Sequence, residues 1–456
     1  MIDRMIVAGG GTGGHLFPGL AVVEELRRRS PRAEVRFVGT RRGIEARVLP
    51  ERGERVDFLD VTPLKGRSGA DLAKSVGRLP QAFGEAARLL RDARPDVVLG
   101  VGGYASGPLL ATAAAMGLRT ALLEQNAHVG LTNRLLAPLV GRAYVTFDET
   151  REVFGAGRAR LAGNPIRRAF VEAARDAVAD PDGLEARART VLVLGGSQGA
   201  KSLNVAVPNA LASVGLAERG LRVVHQTGMS MRDEVADRYA ALGVDAEVLP
   251  FIDDVARAYA NATLVIARAG ATTLSELCAI GRASILVPFP HAADDHQRKN
   301  ADALEAAGAA RAIDERELTE ARLVQEVTAL LDDPARRLAM AAAARTRGRP
   351  DAAARIVDDL CAWVAGEGAD FAADASADRP EVARVTAPAS RVAEAAKSSL
   401  PSARGGQAKD RGRPSSLRGG RAYVPRPMVG LNGPACRATQ RPRQRRRLVV
   451  GDVAWE

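Results

Sequence analysis

Residues 268–301 carry hydroxyl, carboxylate, imidazole and amide side chains at the ends of short apolar runs. The pattern predicts a strand over 264–267, a helix that begins at Ala271, a strand over 284–287, and a Pro-bounded loop before another helix. Such loops meet at the carboxyl ends of parallel strands, where open α/β sheets bind ligands. The segment therefore predicts one side of a ligand-binding cleft.

The predicted helix start at Ala271 suits an anion. Free N–H groups of Thr272 and Thr273 would point at it, and the helix dipole would favour negative charge there. Glu276 could accept hydrogen bonds from two vicinal hydroxyls, as a ribose offers them, and the loop over 288–297 suits a hydroxyl-rich sugar. Thr and Glu near a first turn are also ordinary helix caps, so this segment alone leaves both interpretations open.

Three glycine loops follow predicted strands. In the first, Gly9, Gly11 and Gly14 match G-x-G-x-x-G between a strand over 5–8 and a helix over about 17–29, which is the dinucleotide-binding pattern. The next strand, over 35–38, ends without the acidic residue that binds an adenosine ribose, which disfavours a dinucleotide. The other glycine loops are 102–108 and 195–200.

The order of elements predicts an α/β fold with two similar halves facing across a cleft. The predicted strands of the first half are 5–8, 35–38, 56–59, 97–100, 120–123 and 143–146, and those of the second are 190–194, 222–226, 246–249, 264–267 and 284–287. Alternating helices make both sheets parallel. A cleft between two such domains is a usual place for a polar ligand.

We therefore predict four segments. An N-terminal Rossmann-like domain covers 1–163, a C-terminal Rossmann-like domain 164–345, and a C-terminal helix 346–365. Residues 366–456 are rich in Ala, Arg, Pro, Ser and Gly without periodicity, and they predict a disordered basic tail.

Composition restricts the class of protein. The net charge of +11 lies mostly in the tail, which has 17 Lys and Arg against 9 Asp and Glu, and aromatic residues make up only 4% of the chain. A base-stacking surface is therefore not expected, and neither is a nucleic-acid partner. Three dispersed cysteines and the absence of a signal-peptide pattern or a long apolar run predict a reducing, cytoplasmic setting.

A possible amphipathic helix lies over 72–90. Leu72, Val76, Leu79, Phe83 and Leu90 recur at helical spacing beside basic residues. This stripe suits either an ordinary core face or contact with an anionic membrane surface. On spacing alone the core interpretation is favoured.

The motifs also exclude some chemistry. No Walker lysine follows the glycine loops, which argues against an ATPase that transfers phosphate. No clustered metal ligands are evident, because the only D-x-D pair, Asp180 and Asp182, lies in a linker that suits a solvated turn. A nucleotide diphosphate bound by backbone groups and helix dipoles remains the better prediction.

In this ordered set of motifs the chain closely resembles the MurG family of UDP-GlcNAc:undecaprenyl-diphosphate-MurNAc-pentapeptide GlcNAc transferases. The motifs are GGGTGGHLFPGLAV, GGYASGP, EQN, GNPIR, GGSQGA, RAGATTLSE and PFPHAADDHQ, and the resemblance covers residues 1–365. It implies the GT-B fold, with UDP-GlcNAc bound mainly by the second domain, the lipid-linked acceptor bound by the first, and no cofactor.

The resemblance also implies roles for individual residues. On the N-terminal side it implies contacts with the sugar nucleotide from Thr12, Gly13, Gly14 and Asn126, and an acceptor contact from Tyr104. It implies that the nucleotide site contains Arg167, Ser197 near the diphosphate, Ile252 near uracil, and the segment Ala271, Thr272, Thr273, Leu274, Ser275 and Glu276, with Glu276 on the ribose. Gln297 is implied to contact the GlcNAc hydroxyls.

The implied reaction is inverting transfer of GlcNAc to the MurNAc 4-hydroxyl, which must lose its proton. His15 is the implied general base; a polar cap beside a glycine loop is the alternative role for this residue. Since the acceptor is a membrane lipid, the resemblance favours membrane contact for 72–90 and a peripheral place on the cytoplasmic face of the cell membrane. Other cell-wall synthesis proteins are possible partners.

Four other functions stay open on the sequence. A UDP-GlcNAc 2-epimerase or another GT-B UDP-sugar transferase would use a similar two-domain fold. An NAD-dependent oxidoreductase would use the first glycine loop, and a non-catalytic UDP-sugar sensor would bind without turnover.

Overall fold

The structure is a computed structural model that describes residues 1–61, 77–155, 157–196 and 199–367. It contains two parallel sheets with helices between successive strands. The predicted α/β class with two similar halves is therefore confirmed. Among the described residues, no helix has the length and apolar character needed to span a membrane.

The first sheet has seven strands in the order β3-β2-β1-β4-β5-β6-β7. Its strands are β1 (Arg4–Gly9), β2 (Glu34–Gly39), β3 (Val56–Phe58), β4 (Val97–Gly102), β5 (Thr120–Glu124), β6 (Arg142–Val145) and β7 (Ala159–Leu161). The helices within this half are α1 (Gly13–Arg29), α2 (Glu45–Glu51), α3 (Leu79–Ala93), α4 (Ser106–Ala115), α5 (Leu131–Leu136) and α6 (Arg151–Phe154).

The second sheet has six strands in the order β10-β9-β8-β11-β12-β13. Its strands are β8 (Thr190–Leu194), β9 (Arg222–Gln226), β10 (Ala246–Leu249), β11 (Ala262–Ala267), β12 (Ser284–Leu286) and β13 (Arg311–Ala312). The helices that follow β7 are α7 (Arg168–Ala179), α8 (Pro181–Arg187), α9 (Lys201–Ala212), α10 (Arg232–Ala241), α11 (Val255–Ala260), α12 (Ala271–Ile280), α13 (His296–Ala306), α14 (Glu320–Leu331), α15 (Pro334–Arg347) and α16 (Ala352–Ala365). Short 3-10 turns occupy Asp148–Thr150, Met229–Met231, Ala293–Asp295 and Glu315–Glu317.

Both sheets place their central strands in the core. Strands β4, β5, β8 and β11 are buried along their whole length, as expected for parallel strands covered by helices on both faces. Buried side chains lie on the two faces of each sheet and form separate apolar clusters. Each half thus has its own core, and the loops at its carboxyl edge are left available for binding.

The last helix, α16, packs on the first sheet and not on the second. Its buried residues Ile356, Val357 and Leu360 belong to the apolar cluster of the first half, where the helix packs against α1. The Tyr144 hydroxyl donates to the Asp359 carboxylate at 2.6 Å, and Arg142 forms a buried ion pair with the same carboxylate. The chain therefore crosses between the halves twice. The crossings are adjacent, because a Cβ at Gly163 would lie 2.4 Å from Arg349.

Some predicted boundaries shift in the structure. Helix α1 begins at Gly13 and not near residue 17, so that His15 lies in its first turn. Strands β7 and β13 were not predicted, because edge strands of three and two residues have too few alternating positions to give a pattern. The proposed boundary at 163 falls between β7 and α7.

The helix predicted over 72–90 and the predicted tail lie only partly within the described residues. In the described part of the helix predicted over 72–90, α3 buries Ala82, Ala86 and Leu90, whereas Phe83 is exposed. The stripe thus divides between core and surface. Leu72 and Val76 lie outside the described residues, as does the predicted tail from residue 368 onward.

Candidate active site

The first glycine loop joins β1 to α1 at the carboxyl edge of the first sheet. Gly9, Gly10 and Gly11 have φ values of 140°, 142° and 86°, which side chains rarely adopt. A Cβ at Gly9 would lie 2.1 Å from the Gly102 carbonyl oxygen, and Gly10 N–H donates to that oxygen at 3.1 Å. The first and second glycine loops are therefore packed backbone to backbone.

His15 lies on top of this contact. Its Nδ1 is 3.2 Å from the Thr12 hydroxyl, and a Cβ at Gly102 would lie 2.6 Å from the imidazole ring. Loss of solvent, followed by repulsion from His296, lowers the pKa of His15 to about 4, although a hydrogen bond with the Gly10 backbone opposes this. The imidazole is therefore neutral at pH 7 and retains a lone pair that can accept a proton.

The start of α12 is open. Gly270 is the extended N-cap residue and no side chain caps the helix. The Thr272 hydroxyl is buried without a hydrogen-bond partner among the described residues, and the Ser275 hydroxyl donates back to the Ala271 carbonyl at 2.8 Å. The capping interpretation is therefore wrong for these side chains. Unpaired N–H groups and a buried hydroxyl suit an anionic ligand.

Glu276 lies one turn further along α12. It is 6% exposed, and Arg167 donates to its carboxylate at 3.0 Å while stacking on the Phe170 ring at 4.9 Å. Burial raises the pKa of Glu276 to about 7, and this outweighs the opposite effect of Arg167. The structure thus brings together two residues that are far apart in the sequence and were expected in one nucleotide site.

The loop before α13 is strained. Asp294 and Asp295 both have a φ of 54°, an unusual conformation for residues with side chains that is often found at ligand sites. Phe289 N–H donates to the Gln297 side-chain oxygen at 3.0 Å, which fixes the loop to the first turn of α13. Contact between Gln297 and a sugar would therefore use mainly its NH₂ group.

Glu124 and Asn300 fix the loop after β5 from two sides. The buried Glu124 carboxylate accepts from the Asn126 N–H at 3.1 Å and from the Asn133 side chain at 2.9 Å. From the other half of the chain, the Asn300 NH₂ group donates to the Asn126 side-chain oxygen at 3.2 Å and to the Ala269 carbonyl at 3.3 Å. Ala127 N–H donates to the Asn300 oxygen at 2.8 Å. The two carboxyl edges are thus joined by hydrogen bonds.

The remaining expected site residues differ in exposure. Tyr104 lies within the second glycine loop, after β4, and is 47% exposed. Ile252 follows β10, and its side chain is 5% exposed within the apolar cluster of the second half. Only its backbone can therefore contact a base. Ser197 lies outside the described residues.

The sequence did not point to two residues of this site, Glu45 and Asn300. Glu45 is fully buried beneath the first glycine loop, and Asn300 is fully buried at the contact between the halves. A signal for Asn300 was present, because it lies three residues after Gln297 on the same helix. Glu45 follows Gly39 and Gly43 after a strand, but nothing local shows that it reaches Gly11.

The described residues contain no group of three or more His, Cys, Asp and Glu side chains arranged to bind a metal ion. The N–H groups at the start of α12 and Arg167, which is paired with Glu276, are groups that could stabilise an anionic ligand. Two parallel α/β domains, with glycine loops at facing carboxyl edges and an uncapped helix start, define the GT-B class of nucleotide-sugar proteins.

Comparison with known proteins identifies the family. Residues 5–145 match the glycosyltransferase family 28 N-terminal domain, and residues 190–356 match the glycosyltransferase family 28 C-terminal domain. A UDP-N-acetylglucosamine--N-acetylmuramyl-(pentapeptide) pyrophosphoryl-undecaprenol N-acetylglucosamine transferase of Myxococcus xanthus (strain DK1622) is 48% identical over 78% of this chain and 91% of its own length. The chain belongs to the MurG family of glycosyltransferases.

Solved structures agree. The crystal structure of Acinetobacter baumannii MurG is 30% identical, with a TM-score of 0.66, and the match covers 79% of this chain and 99% of that one. The UDP-GlcNAc 2-epimerase of Neisseria meningitidis is 13% identical, with a TM-score of 0.55, and covers 78% of this chain and 99% of its own. The second match shows only a shared fold.

Proposed function

We propose that this glycosyltransferase moves GlcNAc from UDP-GlcNAc to the MurNAc 4-hydroxyl of undecaprenyl-diphosphate-MurNAc-pentapeptide, which converts lipid I to lipid II. Family membership supports the substrates. The observation that carries the proposal is that His15, a neutral imidazole in the first turn of α1, belongs to a helix that contacts α12, whose start is open. His15 is near enough to His296, the first residue of α13, for their charges to repel.

The donor would bind to the second half of the chain. Its diphosphate would accept hydrogen bonds from N–H groups of Ala271, Thr272 and Thr273, with Ser197 as a further expected contact. The buried Thr272 hydroxyl would gain the partner that it lacks, and the ribose would bind Glu276 beside Arg167. Uracil would lie near the Ile252 backbone, and the Gln297 amide would contact the sugar.

The acceptor would approach from the first half, past Tyr104 and the loop that contains Thr12, Gly13 and Gly14. His15 would take the proton from the MurNAc 4-hydroxyl as its oxygen attacks C1 of GlcNAc from the face opposite UDP. The bond from C1 to the UDP phosphate oxygen would break, and its electron pair would leave with UDP. Helix N–H groups would stabilise that charge.

The low pKa of His15 is compatible with this role. A pKa of about 4 keeps the imidazole unprotonated, although it makes His15 a weak base in the free protein. Both substrates carry a diphosphate, and negative charge near an imidazole favours its protonated form. Substrate binding would therefore raise the pKa of His15 at the stage when a base is needed.

The direct test is transfer of radiolabelled GlcNAc from UDP-GlcNAc to a lipid I analogue. Label in a disaccharide lipid, with inversion at C1, is the expected result. Release of ManNAc or UDP-ManNAc without lipid would instead indicate an epimerase. UDP-GlcNAc binding without turnover would indicate a sensor, and binding of NADH would indicate an oxidoreductase.

The His15→Ala variant should lower kcat by about 10²-fold to 10⁴-fold, the usual contribution of a general base. Binding of UDP-GlcNAc, measured by calorimetry, should stay within about twofold because most of the expected donor contacts come from the other half of the chain. Near-normal turnover by this variant would exclude His15 as the base.

UDP-GlcNAc affinity should rise as the pH increases from 6 to 8. Glu276 has a pKa of about 7 in the free protein, so its carboxylate, which would accept hydrogen bonds from the ribose, forms across this range and is lost below it. The Glu276→Gln variant should bind about tenfold more weakly at pH 8 and show a flat pH dependence. An unchanged slope in that variant would assign the titration to another group.

We also propose that the protein acts peripherally at the cytoplasmic face of the cell membrane, where its lipid acceptor lies, and that it contacts other cell-wall synthesis proteins there. Exposed apolar side chains support a membrane contact. Phe83 lies on α3, Leu131 and Leu135 lie on α5, and Leu139 follows α5. Leu131 and Leu135 lie four residues apart and share one helix face.

Sedimentation with anionic vesicles tests the membrane contact. A Phe83→Glu, Leu135→Glu variant should bind vesicles several-fold more weakly, because charge resists insertion into the lipid interface. Leu338→Glu, at a similarly exposed leucine in the second half of the chain, is the matched control. Equal sedimentation of both variants and the wild type would argue against this surface.

A further inference from the structure

Glu45 is a buried carboxylate directly beneath the first glycine loop. It is the first residue of α2, a helix outside the expected substrate site, and its relative exposure is 0%. A fully buried carboxylate requires hydrogen-bond donors or opposite charge around it. Its partners therefore show what its burial achieves.

Backbone and hydroxyl groups provide these donors. Gly11 N–H donates to one carboxylate oxygen at 2.7 Å, and Thr40 donates to the other from its N–H at 2.8 Å and from its hydroxyl at 3.0 Å. Hydrogen bonds to an ionised acceptor are stronger than neutral ones. Glu45 thus joins the loop after β1 to the loop after β2.

Three glycines surround the carboxylate, and none of them could carry a side chain. A Cβ at Gly10 would lie 2.4 Å from the Glu45 carboxylate, a Cβ at Gly43 would lie 2.1 Å from it, and a Cβ at Gly39 would lie 2.3 Å from its Cγ. The backbone of the loop after β1 and of the loop after β2 therefore encloses this carboxylate. Such enclosure fixes the carboxylate and, through it, the conformation of the loop.

This loop in turn fixes His15. Gly10 N–H donates to the Gly102 carbonyl, and the imidazole lies against Gly102, while its Nδ1 is 3.2 Å from the Thr12 hydroxyl of the same loop. The charged groups that act on the imidazole are His296 from α13 and Glu45 from α2, and they have opposite effects on its protonation. Glu45 therefore affects both where His15 lies and how readily it takes a proton.

We propose that Glu45 is a positioning residue for His15, which fixes the first glycine loop through Gly11 and supplies a buried negative charge that acts on the imidazole. The catalytic consequence rests on the proposed transferase function. The effect on the loop does not depend on it. The two parts can therefore be tested separately.

The Glu45→Gln variant removes the charge and directs an NH₂ group toward Thr40 or Gly11. We expect kcat to fall on the order of tenfold to a hundredfold, since small misplacements of a catalytic group have effects of this size, with UDP-GlcNAc affinity unchanged. The acidic limb of the kcat profile should also move to lower pH, because loss of a nearby negative charge disfavours the imidazolium. A purely structural role would lower the plateau without moving this limb.

Two further variants make the result specific. Glu45→Asp keeps the charge but is too short to bridge Gly11 and Thr40, so it should lower kcat while leaving the acidic limb in place. Glu326→Gln is the matched control, because Glu326 is a buried carboxylate that pairs with Arg311 and Arg322 in the second half of the chain. It should retain wild-type kcat.

Hydrogen exchange of the segment 9–16, followed by mass spectrometry, tests the loop without any assay of turnover. Exchange should be faster in both Glu45 variants than in the wild type and in Glu326→Gln. Unchanged exchange in Glu45→Gln would overturn the proposal even if the wild type proved to have no transferase activity. With transfer established, an unmoved acidic limb in that variant would overturn the electrostatic part.

Discussion

The amide of Asn300 joins the two carboxyl edges on which this site depends. Its NH₂ group donates to Ala269, just before the open helix start, and to Asn126 in the other half of the chain, and its oxygen accepts from Ala127. A side-chain amide has two donor hydrogens and one acceptor oxygen, and here each kind of group is used. A shift of either half would leave a buried polar group unpaired, which is costly.

The two halves that this contact joins offer different groups to a ligand. The second half offers helix N–H groups and Arg167 to negative charge, and burial of Glu276 links nucleotide binding to its ionisation. The first half offers a neutral imidazole, whose protonation is opposed by His296 and favoured by Glu45. A diphosphate donor would therefore bind on one side and raise the basicity of the group on the other.

The sequence predicts local features well and contacts between distant segments poorly. Strands β8, β9 and β10 have the predicted limits, because apolar runs bounded by glycine or polar turns are a local signal. The family motifs also predicted that Arg167 and Glu276 belong to one nucleotide site. The return of α16 to the first sheet, the closure of three glycines around Glu45, and the Asn126–Asn300 contact could not be predicted. Each depends on segments that meet only after the chain has folded.

Catalysis by this protein should require a site assembled across both halves. A double-mutant cycle on kcat with Asn126→Ala and Asn300→Ala tests it most directly, with Asp302→Ala as a control because Asp302 pairs with Arg298 on the same helix, α13. If Asn300 acts by holding Asn126, the double variant should be about as slow as the slower single variant. Rate losses that multiply, or a loss in Asp302→Ala equal to that in Asn300→Ala, would show that the Asn126–Asn300 contact does not support catalysis.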